Sequence, residues 1–365
     1  MLTLGFGLVF GIMYFFMKIY SLVTNKCFRV KKIFILICVI GVALLVAQIK
    51  PPIAWDLYRH FEEIERMRSW GFEYVWYESR YKTYIFATLL FYISSLTPWN
   101  ETLVFITIFI ELIILENILK FYKKRGISPQ AESISFFLFL AFSNIVLAIS
   151  GIRNVLAVII MNYAIWNINF SRKRKLWNII LFIIAITIHP ASMFLLILYF
   201  ISYIPSIKIA SGVAVFFYPL IIKLSQTYLN SNNILLSSSA GLFRLYSKER
   251  AGLDMRVTLV SATFIFVSIV ILIYRMRVLK DKSRYTKYSL VYSLGTLGMI
   301  FQGLIYSRML YGLGNIYISL LLISEKKIKN RTYKKMIYIY KVLSIIYISG
   351  MLLFQGYELT LAILK

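Results

Sequence analysis

Only two cysteines, two histidines and 15 acidic side chains occur in 365 residues, against 41 lysines and arginines. Cys27 lies in a basic stretch and Cys38 in an apolar run, which excludes a disulfide framework and a zinc-ligand spacing. His60 and His189 are isolated from any cluster of other ligand types, so neither a metal nor another cofactor is implied. Met1 to Tyr20 has no basic leader and no small-residue cleavage site, and is read as a retained first membrane span. No internal repeat of the transporter kind is visible. The shortage of acid leaves a net charge of +26. In a soluble chain that excess would suggest nucleic acid, but here it sits in short loops between apolar runs, where the positive-inside rule puts it.

Long apolar runs are what the chain does have. Hydrophobic residues make up 60% of it and the mean hydropathy is +0.75, so the fold class is all-α, a single polytopic membrane domain over residues 1–365. Five basic clusters, 26–32, 120–125, 172–175, 275–287 and 326–335, are assigned to the cytoplasm. About ten full crossings follow, near 2–22, 33–49, 102–120, 131–150, 152–170, 210–224, 257–279, 288–306, 309–324 and 336–354. Two larger loops, 50–82 and 225–256, then lie outside; in the first, basic and acidic residues balance. Charge parity makes 83–97 a re-entrant segment and 177–203 a broken pair turning at His189-Pro190. Proline ends a helix by removing a backbone donor, and broken backbone at membrane depth is tolerated where it is buried in protein or lines a cavity.

Arg153 is the most informative residue, because it interrupts the apolar stretch from Phe136 to Phe170. A cation at membrane depth costs from about 2.5 kcal/mol upward and is kept where a cavity or an anion receives it. This topology brings Arg153, Asn154, His189 and Arg308 (in Tyr306-Ser307-Arg308, at an expected outer turn) to the outer side, with Asp56, Arg59 and His60 opening the first loop and Arg244, Arg250 and Arg256 lining the second. Arginine donates in a planar fork that matches phosphate oxygens, and several arginines around few carboxylates point to a phosphorylated lipid substrate. Plainer roles stand beside these. Arg153 and Arg308 also fit interfacial side chains that snorkel to water, and His189 fits a hydrogen-bonded core histidine. Asp56 suits the start of an amphipathic helix with Leu57, Phe61, Ile64, Met67 and Trp70 on its apolar face. Glu111 and Glu116 are read as interhelical contacts.

Four elements carry a family resemblance: Trp55-Asp56-Leu57-Tyr58-Arg59-His60, Gly151-Ile152-Arg153-Asn154-Val155-Leu156-Ala157, Ile188-His189-Pro190-Ala191-Ser192-Met193, and Ser307-Arg308. Together they resemble the EpsG-like group of Wzy polysaccharide polymerases over most of the chain. Asn154 stands where that group often has glutamine, and Ala54-Trp55-Asp56 where it often has Gly-x-Asp. The resemblance implies a multi-pass protein of the bacterial cytoplasmic membrane whose site faces outside, or the periplasm. It implies a glycosyltransferase that joins undecaprenyl-diphosphate-linked repeat units into O-antigen, capsule or exopolysaccharide, with membrane lipid and a chain-length regulator as partners and no nucleic acid. Under it, Arg153, Arg308, Arg244, Arg250 and Arg256, with Arg59, His60 and Asn154, bind substrate, and His189 or Asp56 takes the acceptor proton or orients the acceptor. Two rival readings remain: a GT-C glycosyltransferase using a polyprenyl-phosphate sugar, with Asp56 as base, and a flippase or exporter of lipid-linked oligosaccharide.

Overall fold

The structure is a computed structural model that describes residues 2–26, 31–49, 56–77, 84–143, 151–170, 175–216, 255–301, 303–324 and 330–364. Among these residues it is helical throughout, with no strand. The helices are α1 (Leu2–Thr24), α2 (Lys32–Ala47), α3 (Asp56–Tyr77), α4 (Ile85–Ser95), α5 (Thr102–Lys123), α6 (Pro129–Ser143), α7 (Ile152–Phe170), α8 (Lys175–Ile188) and α9 (Ser192–Ile201), followed by α10 (Ile207–Phe216), α11 (Met255–Arg277), α12 (Arg284–Gly298), α13 (Gly303–Ser324) and α14 (Arg331–Leu364). Four described segments, Gly5–Thr24, Thr102–Lys123, Met255–Arg277 and Arg331–Tyr357, are long and apolar enough to cross a membrane by length and composition. Apolar helices over Lys32–Ala47, Ile85–Ser95, Leu176–Ile188, Ser192–Ile201 and Ile207–Phe216 are shorter. The protein is a membrane protein, with about ten crossings expected and four described helices of full crossing length.

α6 and α7 form the centre. Every residue of α6 from Ser133 to Ser143 is buried, as is most of α7. α13 packs on both, α5 chiefly on α7, and α14 and α1 on α6. At one end of the bundle, Lys18 of α1 reaches Glu116 of α5 and Glu132 of α6, each at 3.1 Å, while Tyr14 also donates to Glu116. Glu116 is thus an interhelical contact, and this buried charge group ties α1, α5 and α6 together.

α8 and α9 form a hairpin beside α7. Asn167 donates to Asn178 at 2.9 Å near the start of α8, and Tyr199 near the end of α9 lies 3.5 Å from Asn169. The turn between them, at His189-Pro190, lies at the opposite end of α7, beside Arg153, whose charge acts on His189. The hairpin therefore rises along α7 and returns, with the proline at its tip where no backbone donor is needed.

Two sequence expectations are corrected. Tyr306-Ser307-Arg308 is not a turn. α12 ends at Gly298 and the break falls at 299–301, so Arg308 is carried on the second turn of α13. The polar pair sits on a helix face that looks into protein, and needs no loop. Trp70 is not on the apolar face of α3, being 69% exposed while Leu57, Ile64 and Met67 are buried. At about 100° per residue, the thirteen positions from Leu57 rotate Trp70 about 140° off that face, just before the backbone breaks at Gly71, whose φ is +72°.

Candidate functional site

α3 is held over one end of the bundle by its own polar face. Arg68 donates from Nε to the Thr97 carbonyl at 3.1 Å and from its guanidinium to Asn100 Oδ1 at 2.9 Å, and Asn100 donates back to Glu65 at 2.7 Å. These bonds clamp the middle of α3 to the turn between α4 and α5. Its first turn then lies against α4, where His60 packs on Phe91 with ring centroids 5.2 Å apart. Arg59 pairs with Asp56 at 2.6 Å, and His60 Nε2 lies 3.8 Å from the other oxygen of Asp56.

Phe91 joins this group to the arginine in α7. The Arg153 guanidinium carbon lies 6.0 Å from the Phe91 ring centre, at the edge of cation–π range. On the far side, Arg153 and Arg308 both lie near enough to His189 for their charges to act on it. α7 brings Arg153, α13 brings Arg308, and the α8–α9 turn brings His189 to the same end of the bundle.

The imidazole is oriented by its own turn. The Ala191 backbone N–H donates to His189 Nδ1 at 3.2 Å, and the Ser192 hydroxyl donates to the His189 carbonyl at 2.9 Å. With Nδ1 accepting, a neutral imidazole carries its proton on Nε2 and presents a donor there. Beside Arg153, the Asn154 side chain is 2% exposed and neither its Oδ1 nor its Nδ2 has a hydrogen-bond partner among the described residues. A buried amide left in that state costs about 1–3 kcal/mol, a cost that suits a group waiting for a ligand.

The expected residues thus divide. Arg153, His189 and Arg308 come together, and Asp56, Arg59 and His60 adjoin them through Phe91. His60 is 1% exposed and supports the Asp56 turn from beneath, while Arg59 is largely exposed. Arg256 begins α11 at this same end of the bundle, because Tyr306 donates to the Thr258 carbonyl at 3.5 Å. Arg244 and Arg250 lie outside the described residues. Sequence reasoning missed Phe91, one phenylalanine in an apolar run, and nothing in its local pattern marks it.

Two guanidiniums and an imidazole near one another are groups that can receive an anion, and the adjoining helix α3 carries a carboxylate. Neither a curated protein nor a solved structure gives a significant match to the chain. The sequence profile of the EpsG family matches residues 55–360, a span that takes in every residue of this site. The chain belongs to the EpsG family.

Proposed function

We propose that the protein is a polysaccharide polymerase that joins lipid-diphosphate-linked repeat units at the site between Arg153, His189 and Arg308. Membership of the EpsG family supports a polymerase-like role in polysaccharide biosynthesis. The observation that carries the finer reading is the convergence of two arginines from different helices on the imidazole of a broken hairpin. Two guanidiniums match a diphosphate better than a single phosphate, since each fork engages one phosphoryl group.

In this reading the acceptor hydroxyl oxygen attacks the anomeric carbon of the growing glycan. The bond from that carbon to the lipid diphosphate breaks, and the diphosphate leaves with the bonding electron pair. Arg153 and Arg308 neutralise the charge that develops on it, and the Nε2 proton of His189 donates to one of its oxygens. The sequence alone made His189 a candidate base; the Ala191 bond at Nδ1 favours a donor instead. Asp56 then receives the hydroxyl proton. Arg59 holds one of its oxygens and so aims the carboxylate. Undecaprenol is the lipid we assign to the diphosphate, and the external face of the cytoplasmic membrane is the side, since the basic clusters at 120–125 and 275–287 fall at the other end.

The lipid-linked species that accumulates in a deletion strain tests this. Single repeat units on the outer leaflet are the expected result. Single units confined to the inner leaflet would overturn the polymerase and make the arginine pair part of a flippase.

A further inference from the structure

Resting on the reading of Arg153 and Arg308 as a diphosphate site, we infer that a buried clasp formed by Asn162, Tyr288, Tyr292 and Gly312 sets the spacing of those two arginines and so selects diphosphate over single phosphate. Arg153 and Asn162 share α7, nine positions or about 13 Å apart along its axis; Arg308 and Gly312 share α13, four positions or about 6 Å apart. Asn162 donates from Nδ2 to the Gly312 carbonyl at 3.1 Å, and Tyr288 of α12 donates to Asn162 Oδ1 at 2.7 Å. Tyr292, stacked on Tyr288, donates to the carbonyl of Met309, the residue after Arg308, at 2.8 Å.

The three side chains are essentially inaccessible to solvent, and they meet α13 where it has no side chain to hold them off. A Cβ on Gly312 would fall 2.2 Å from the Tyr292 hydroxyl, 2.5 Å from Asn162 Nδ2 and 2.8 Å from Val158 Cγ1. Other polar contacts between helices, such as Ser293 with Tyr317 and Ser268 with Tyr340, join side chain to side chain, and a change of rotamer can loosen them. The clasp instead grips two backbone carbonyls of α13, at Met309 and Gly312. That grip fixes both the slide and the rotation of α13 against α7 and α12 directly below Arg308. In a bilayer such a device is needed, because lipid tails are as apolar as the helices and apolar contact alone gives no preferred register. A slip of α13 by even a fraction of a turn would displace one guanidinium relative to the other, leaving each able to bind a phosphate but not both to span a diphosphate.

The test measures binding of inorganic diphosphate and inorganic phosphate to the purified full-length protein in nanodiscs. Wild type is expected to prefer diphosphate by about tenfold or more, the value of one added charge-assisted contact. Tyr292→Phe and Asn162→Ala should bring that preference to near parity while phosphate affinity stays within about twofold. Ser293→Ala, which breaks a bond between α12 and α13 outside the clasp, should keep the preference. If wild type prefers diphosphate and both clasp variants retain that preference, the clasp inference is overturned and the diphosphate site stands. If wild type itself shows no preference, the diphosphate reading fails and the inference falls with it.

Discussion

At the scale of single residues, the site sets an unsatisfied buried amide beside an imidazole that its own turn orients. Asn154 supplies the amide, which has no hydrogen-bond partner among the described residues. Replacing it by an apolar residue of similar size removes that cost, so Asn154→Leu should raise thermal stability by about 1 kcal/mol while polymer formation falls at least tenfold. Loss of stability together with full activity would contradict a ligand-binding role. His189 offers a sharper distinction. If its function is to donate from Nε2, His189→Gln, which places an amide N–H near the same point, should keep part of the activity. His189→Leu should keep none. Equal activity of the two variants in a reconstituted assay would count against the donor role. The sequence made most of these residues visible: an arginine in an apolar run and a His-Pro pair inside another are costly features that stand out. Phe91 did not stand out, because one more aromatic in an apolar segment costs nothing.

At the scale of elements, the turn from α11 to α12 shows how local chemistry secures a helix end. Burial alone would raise the Asp281 carboxyl, but the Arg275 guanidinium beside it at 2.6 Å, with donors from Ser283 and Thr286, holds it below its usual range. A depressed carboxyl pKa stabilises the fold above its unfolded value, and that contribution is lost as pH falls through the folded one. Asp281→Asn should therefore cost on the order of 3 kcal/mol at neutral pH. The gap from wild type should close under acid, as followed by thermal unfolding against pH. α3 depends on a different lock. Arg68→Ala removes its bonds to Thr97 and Asn100, and hydrogen exchange over residues 56–77 should quicken while exchange in α7 stays unchanged. The amphipathic run from Leu57 to Met67 predicts α3, and the proline predicts the α8–α9 break. The position of Arg308 was misread because Ser-Arg between apolar runs looks the same whether it turns in water or lies on a helix facing a buried site. Only the partner helices distinguish the two cases, and they are remote in sequence.

At the scale of the whole molecule, the basic clusters at 120–125 and 275–287 lie at the end opposite the arginine pair, and the proposed orientation rests on that asymmetry. Single cysteines near Glu63 and Asn232 should label from outside intact cells, and those near Lys173 and Lys329 should not; labelling near Lys173 would invert the topology. The central claim is that Arg153 and Arg308 together stabilise a departing lipid diphosphate. Its most direct test is turnover of a lipid-diphosphate-linked repeat unit by proteoliposomes carrying wild type, Arg153→Lys or Arg308→Lys. Wild type should release one lipid diphosphate for each unit added. Each lysine variant keeps the charge but loses the two-pronged donor, so turnover should fall about a hundredfold or more with the protein still inserted at normal levels. Wild-type turnover by either variant, or chain growth without release of lipid diphosphate, would contradict it.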